Sequence, residues 1–308
     1  MHSKSLIAAT VLSFAAWLSP AAAEPPRVVA TIKPVHSLVA GVMQGVATPH
    51  LLLKGAASPH AYAMTPSDAA ALQGADLVVW VGEGMETFLL KPMAALPKRT
   101  RVLALDDAPG IALLDVREGG AWDEHDDHGH EHGHEHEEAK DMHLWLDPMN
   151  AQRAVEALAD TLSGMDPANA ARYAANAEAV LARLDTLDGE LRETLAPLRG
   201  RPYIVFHDAY HYFEQSYGLS AVGSITVNPD VAPGAKTLRA IRKKLTDSKA
   251  RCVFREPQFT PKLVATVTEG LSVKTGILDP LGADLPEGPD AYFLLMRNLA
   301  DGLRTCLM

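Results

Sequence analysis

Short apolar, β-branched runs alternate with helical patterns through the first third of the chain. Val28–Ile32, Leu51–Leu53, Leu77–Val81 and Val102–Leu105 read as buried strands. Between them, Val35–Met43, Pro66–Gln73 and Met85–Leu96 read as helices. Thr65-Pro66 marks a helix start, a hydroxyl cap followed by proline where its missing N–H costs nothing. This rhythm predicts a parallel sheet with helices on its faces.

A strand-like Leu144–Leu146 follows, then a helix from about Asn150 to Leu162. Asp166-Pro167 opens an alanine-rich stretch in which Tyr173, Ala177, Val180, Leu184, Leu187, Leu191 and Leu195 recur at three- and four-residue steps. Such a helix would run roughly 43 Å at about 1.5 Å per residue. Its small and β-branched seam residues suit a helix laid along the back of two lobes better than a coiled-coil dimer. From Arg201 the alternation resumes, with strands at Tyr203–Phe206, Ala221–Ile225, Cys252–Phe254 and Lys274–Leu278. Helices are expected at Ala209–Tyr217, Gly234–Leu245, Pro261–Gly270 and Asp290–Leu303. The expected fold class is therefore α/β. A lobe at 24–165 and a lobe at 198–308 are joined by one rigid helix at 166–197, with ligands bound in the cleft between lobes.

Before all this stands a secretory signal, residues 1–23: Lys4, an apolar core Leu6–Leu18, and small residues Ala21-Ala22-Ala23 at the cleavage site. The apolar core is shorter than the roughly 20 residues a bilayer span needs, and no other stretch comes close, so the mature chain is not expected to insert. No cysteine offers a lipid anchor at the cleavage site, which favours the periplasm of a two-membrane bacterium. No basic patch suggests nucleic acid. The two cysteines, Cys252 and Cys306, are most simply a disulfide in an oxidising compartment; paired thiolate ligands are the alternative.

The net charge of −10 is unevenly placed. Eight carboxylates between Asp123 and Glu138 interleave with six histidines, His125, His128, His130, His132, His134 and His136, and no basic residue interrupts them. No packed core accepts such a run. Neutral imidazole is a common ligand for zinc, copper and nickel, and flanking acids concentrate divalent cations. These six histidines are candidate weak metal sites on a mobile loop at 123–138.

Outside that loop His60, His143 and His207 sit where strands meet loops, positions that converge in open α/β sheets. The segments SPHAY, TPSDAAALQGADLVVWVG, DMHLWLDP, FHDAYHYFEQSYGL, CVFREPQFT and TGILDPLG follow in order across the chain. Together they closely resemble the zinc-uptake binding proteins of ABC importers, the ZnuA family within the metal-binding solute receptors. The resemblance covers essentially residues 27–308. It implies a metal site of His60, His143 and His207 between two lobes, and an acidic, histidine-rich loop on the first lobe. Three neutral imidazoles suit tetrahedral Zn²⁺, whereas related manganese receptors carry a carboxylate at the position of His207. Some zinc members have glutamate just before the first histidine; here it is Pro59, so water or Asp279 is left for the fourth place.

His211 is a spare candidate on the helical face shared with His207, with surface exposure the expectation; His36 and His50 read as structural, and Glu256 as a buried support near the cleft. The function implied is a monomeric, non-enzymatic periplasmic receptor carrying Zn²⁺ to a membrane permease and its cytoplasmic ATPase. A metal buffer or sensor acting through the loop is the alternative. A zinc hydrolase fits less well, since the folded body has no HExxH, no HxH and no nucleophile elbow.

Overall fold

The computed structural model describes residues 24–117, 122, 139–227, 229 and 231–308; the signal at 1–23 and the loop at 123–138 lie outside the described residues. The first lobe holds β1 (Val28–Ala30), α1 (Lys33–Val42), β2 (His50–Leu51), α2 (Pro66–Gly74), β3 (Leu77–Trp80), α3 (Leu90–Ala94) and β4 (Arg101–Ala104). Its strands are all parallel in the order β2-β1-β3-β4. Then come α4 (Pro148–Met165) and α5 (Ala170–Leu195). The second lobe repeats the pattern with β5 (Tyr203–His207), α6 (His211–Tyr217), β6 (Gly223–Thr226), α7 (Ala235–Asp247), β7 (Cys252–Arg255), α8 (Lys262–Thr268), β8 (Lys274–Ile277) and α9 (Ala291–Leu307). Its order, β6-β5-β7-β8, is again parallel and equivalent to the first. In each lobe the first strand lies between the second and third, so the chain reverses direction across the sheet beside it, where ligands bind in such folds.

The expected elements form, with two departures. Met85–Leu96 is not one helix: a single 3₁₀ turn, Thr87–Leu89, precedes α3. Pro92 has no N–H to give Phe88, so a helix begun at Met85 would break there, whereas one begun at Leu90 carries proline in its first turn. Leu144–Leu146 is a buried 3₁₀ turn and not a strand, closed by Leu146 N–H to the His143 carbonyl at 3.1 Å. Short apolar runs do not distinguish a strand from a buried turn. Asp147 then caps α4, accepting the Met149 N–H at 2.9 Å with Pro148 at the first helical position. Thr65 and Asp68 form a reciprocal capping box on α2.

In α5 the seven stripe residues from Tyr173 to Leu195 are the buried ones, and they join a single apolar core that runs from Val28 in β1 to Phe254 in β7 and Leu299 in α9. A smaller core, including Ile204, Ile225, Ile241 and Val253, fills the other face of the second sheet. The C-terminal helix sits close on its strand because Gly302 has no Cβ; one there would fall 2.6 Å from the Ile277 carbonyl oxygen. Cys306 on that helix is disulfide-bonded to Cys252 of β7, with Cα atoms 6.1 Å apart. Both sulfurs are thereby taken, so the thiolate alternative has no free ligand.

Candidate metal centre

Three chain segments deliver one imidazole each to the space between lobes. His207 ends β5, so the fully buried run Tyr203–His207 fixes its backbone by ladder bonds to β6 and β7. His143 lies at the mouth of the Leu144–Leu146 turn, whose buried side chains anchor it from below. His60 sits on the connection between β2 and α2, which is held at one end by Leu53 N–H to Thr31 O at 2.9 Å and at the other by Tyr62 Oη to Asp68 at 2.8 Å. His143 and His207 are buried and His60 half-buried.

The rings converge. Their centroids are 5.5 Å (His60–His143), 5.7 Å (His60–His207) and 5.1 Å (His143–His207) apart, and one ring nitrogen from each falls within 4.8 Å of the others. Trp145, Phe259, Pro59, Pro280 and Leu281 close the walls around a void of about 10 Å³. That is room for about one water-sized particle.

Two buried carboxylates decide which nitrogens face the void. Asp141 Oδ1 lies 2.7 Å from His143 Nδ1, and Glu256 lies 2.7 and 2.8 Å from His207 Nδ1 through its two oxygens. An ionised carboxylate only accepts, so in the neutral rings each Nδ1 carries the proton and each Nε2 keeps its lone pair. Those two Nε2 atoms face each other at 3.2 Å. Two lone pairs so placed repel unless a proton or a metal cation sits between them, so the donor set fits a metal.

Burial holds His60 down to about 2, with His143 and His207 adding to it, so His60 is a neutral ligand at any ordinary pH. Burial would also lower His207, but the Glu256 carboxylate outweighs it and, with Asp208 and Asp141, leaves the group raised.

Asp279 is engaged elsewhere. Its Oδ1 accepts from Gln258 Nε2 at 2.7 Å, Leu281 N at 3.0 Å and Gly282 N at 2.9 Å, and its Oδ2 from Ala283 N at 2.6 Å. It folds the loop that roofs the void. That loop is pinned to the first lobe by Trp145 Nε1, donating to Pro280 O at 2.9 Å, and by Lys33 Nζ, donating to Gly282, Ala283 and Leu285 carbonyls at 2.6, 2.8 and 2.7 Å.

His211 opens α6 and is half-buried, not surface-exposed, and it is not among the three clustered histidines. His36 is buried with Nε2 on Pro49 O at 3.1 Å, and His50 is exposed at the start of β2. The six histidines from His125 to His136 fall outside the described residues.

Sequence reasoning missed Asp141, although its place two residues before His143 was a readable signal. It also missed Arg117, whose Nε lies 2.9 Å from Asp208 and whose Nη1 lies 2.7 Å from Glu214. Trp122 covers that guanidinium at 3.7 Å. Nothing in one sequence flags an arginine as the partner of acids some 90 residues away.

Two repeated α/β lobes backed by a shared helix, with imidazoles meeting in the cleft, define the two-lobed fold of metal-binding solute receptors. The chain belongs to the ZnuA family, described as "Zinc-uptake complex component A periplasmic", which matches residues 28–306. It is 46% identical over 332 residues to the high-affinity zinc uptake system protein ZnuA of Brucella abortus (strain 2308), covering 100% of this chain and 98% of that one. The protein of the same name from Haemophilus ducreyi is 41% identical, covering 91% and 93%. Among solved structures, a ZnuA crystal structure superposes with a TM-score of 0.78 at 25% identity, covering 92% of this chain and 100% of that one. The periplasmic zinc-binding protein TroA of Treponema pallidum shares the fold, with a TM-score of 0.78 at 23% identity and coverage of 92% and 99%.

Proposed function

We propose that this chain is the periplasmic receptor of a zinc ABC importer, capturing Zn²⁺ on His60, His143 and His207 and handing it to a membrane permease driven by a cytoplasmic ATPase. The convergence of three ring nitrogens, two of them turned inward by buried carboxylates, carries the reading. Family membership supports the cargo and the partners. The receptor is a monomer and performs no chemistry on its cargo. It enters the periplasm on the signal at 1–23 and stays free there; among the described residues no helix is long and apolar enough to cross a membrane.

Tetrahedral zinc with three imidazoles leaves one position, which water fills in this reading. Asp279 braces the roof loop in this reading, since ligation would cost it amide bonds it already holds.

Calorimetric titration on a variant lacking residues 123–138 tests the assignment. One tight equivalent should appear, and His60→Ala, His143→Ala or His207→Ala should each weaken it by orders of magnitude, because each removes one of three protein ligands. Undiminished affinity in any one of these variants strikes that residue from the site.

A further inference from the structure

Three neutral imidazoles bring no charge of their own, so a bound ion would carry its full charge into a narrow cleft walled by Trp145, Phe259 and Pro280. Behind the rings stand two anionic groups. The Asp141 side chain is 6% exposed and bonded to the backbone N–H and Nδ1 of His143; the Glu256 side chain is 1% exposed and bonded to Nδ1 of His207. The cations nearby have acids of their own, Arg117 in Asp208 and Glu214, and Lys33, whose N–H groups donate to three loop carbonyls, in Asp279, Asp284 and Glu287. The groups hydrogen-bonded to the ligands therefore carry two negative charges against the two positive charges of one divalent ion.

We infer that Asp141 and Glu256 form a charge filter, balancing a divalent ion on the three imidazoles and discriminating against a monovalent soft ion such as Cu⁺ in the same seat. The inference rests on the zinc-receptor reading and sets its specificity. At a fixed distance the coulombic attraction scales with the ion's charge, so a divalent ion gains twice what a monovalent one gains from each carboxylate. Imidazole nitrogens accept both zinc and copper, so ligand type alone discriminates poorly between them. A monovalent ion would also leave one buried negative charge unbalanced, which a low-dielectric site penalises.

Glu256→Gln and Asp141→Asn each remove one charge and keep an oxygen to accept the Nδ1–H, so ring orientation is held while the balance changes. Each variant is compared with the full-length parent for Zn²⁺ and, anaerobically with a reductant, for Cu⁺, by competition against chromophoric chelators. Circular dichroism melts of the metal-free proteins check the fold. Zinc affinity should fall about 10–100-fold in each variant, as for other partners of ligating histidines. Cu⁺ affinity should fall only by about the square root of that, roughly 3–10-fold, because the lost attraction is halved. Preference for zinc over Cu⁺ therefore narrows in both.

Equal losses for the two ions would mean that the carboxylates only orient the rings, and the filter would be wrong. Unchanged zinc affinity would overturn it as well. The two variants are independent, so one that melts early leaves the other to decide. Undiminished tight zinc binding in His60→Ala would instead remove the three-imidazole reading, and the filter with it, a result neither carboxylate variant can mimic.

Discussion

His60 and His207 are pulled in opposite directions by their surroundings. His60, held down to about 2 by burial and its two ring neighbours, has no proton to lose when a metal arrives. His207, raised by Glu256 against its burial, holds a proton to higher pH than an ordinary imidazole and must release it to ligate. Zinc affinity should therefore fall as pH drops through mild acid, with protons released as zinc binds. Calorimetry in buffers of different ionisation enthalpy reads that proton count directly; a flat affinity from pH 8 to 5 would point away from imidazole ligation. The same shifts act on the metal-free fold. The depressed His60 contributes stability that is present above about pH 6.5 and is lost as pH falls towards about 2; the raised His207 contributes stability below about 6.5 that is lost as pH rises through its folded value.

Glu86 gives a separate test, on a carboxylate. It is wholly buried, with oxygens on the Thr31 hydroxyl at 2.5 Å and the Val81 and Gly82 amides at 3.1 Å each, and burial pushes it up to about 7. The unfolded chain loses this proton first, near the ordinary 4.5, so stability from this group declines as pH rises from there to about 7. Glu86→Gln should relieve that decline, narrowing the difference in urea stability between pH 5 and pH 8 by about 2.5 kcal/mol. An unchanged difference would show that Glu86 ionises normally.

His207 could be picked out because it ends an apolar run, whereas His60 and His143 stood out through the SPHAY and DMHLWLDP segments that carry the family resemblance. Asp279 was a ligand candidate through the family resemblance; the amide bonds it holds depend on how the loop after it turns, which residue identity alone does not encode.

At the scale of elements, the seven-residue stripe of α5 was fully readable because a long helix repeats its signal many times over. Leu144–Leu146 repeats nothing, and its turn geometry comes from the Asp147 cap and from burial in the core. The roof loop after Asp279 was likewise opaque, since Lys33, some 250 residues away in sequence, holds it. Lys33→Met keeps much of the stem's bulk but strands three carbonyls, and should cost about 2–3 kcal/mol. Amide exchange in residues 281–285 should quicken in that variant beyond any global change. Exchange that rose uniformly would mean the lysine stabilises the whole fold and does not specifically hold the roof.

The disulfide ties β7 to α9 across a separation of 54 residues. The chain-entropy model assigns it about 4 kcal/mol, and neither cysteine is among the three clustered histidines. Cys252→Ser with Cys306→Ser should lower the melting temperature and leave one tight zinc equivalent in place. Loss of that equivalent would show that the disulfide supports the site itself.

For the molecule as a whole, the question is how far two lobes can part when they share a core. Apolar packing runs unbroken from β1 through α4 and α5 to α9, and Lys33, Trp145 and Arg117 each bond across the cleft. A hinge motion would have to break this packing, and packed interiors resist continuous deformation. Metal loading should therefore act locally, on the His60 connection and the roof loop, and leave the lobes fixed. Spin labels replacing Val102 on the edge of the first sheet and Ile277 on the edge of the second, both exposed, report the separation. Metal-free and zinc-loaded protein should give distance distributions whose peaks differ by less than about 2 Å, the range of complexes that bind without domain rearrangement. A larger shift, or a second peak that zinc removes, would mean that α5 bends and that the shared core is two cores in contact.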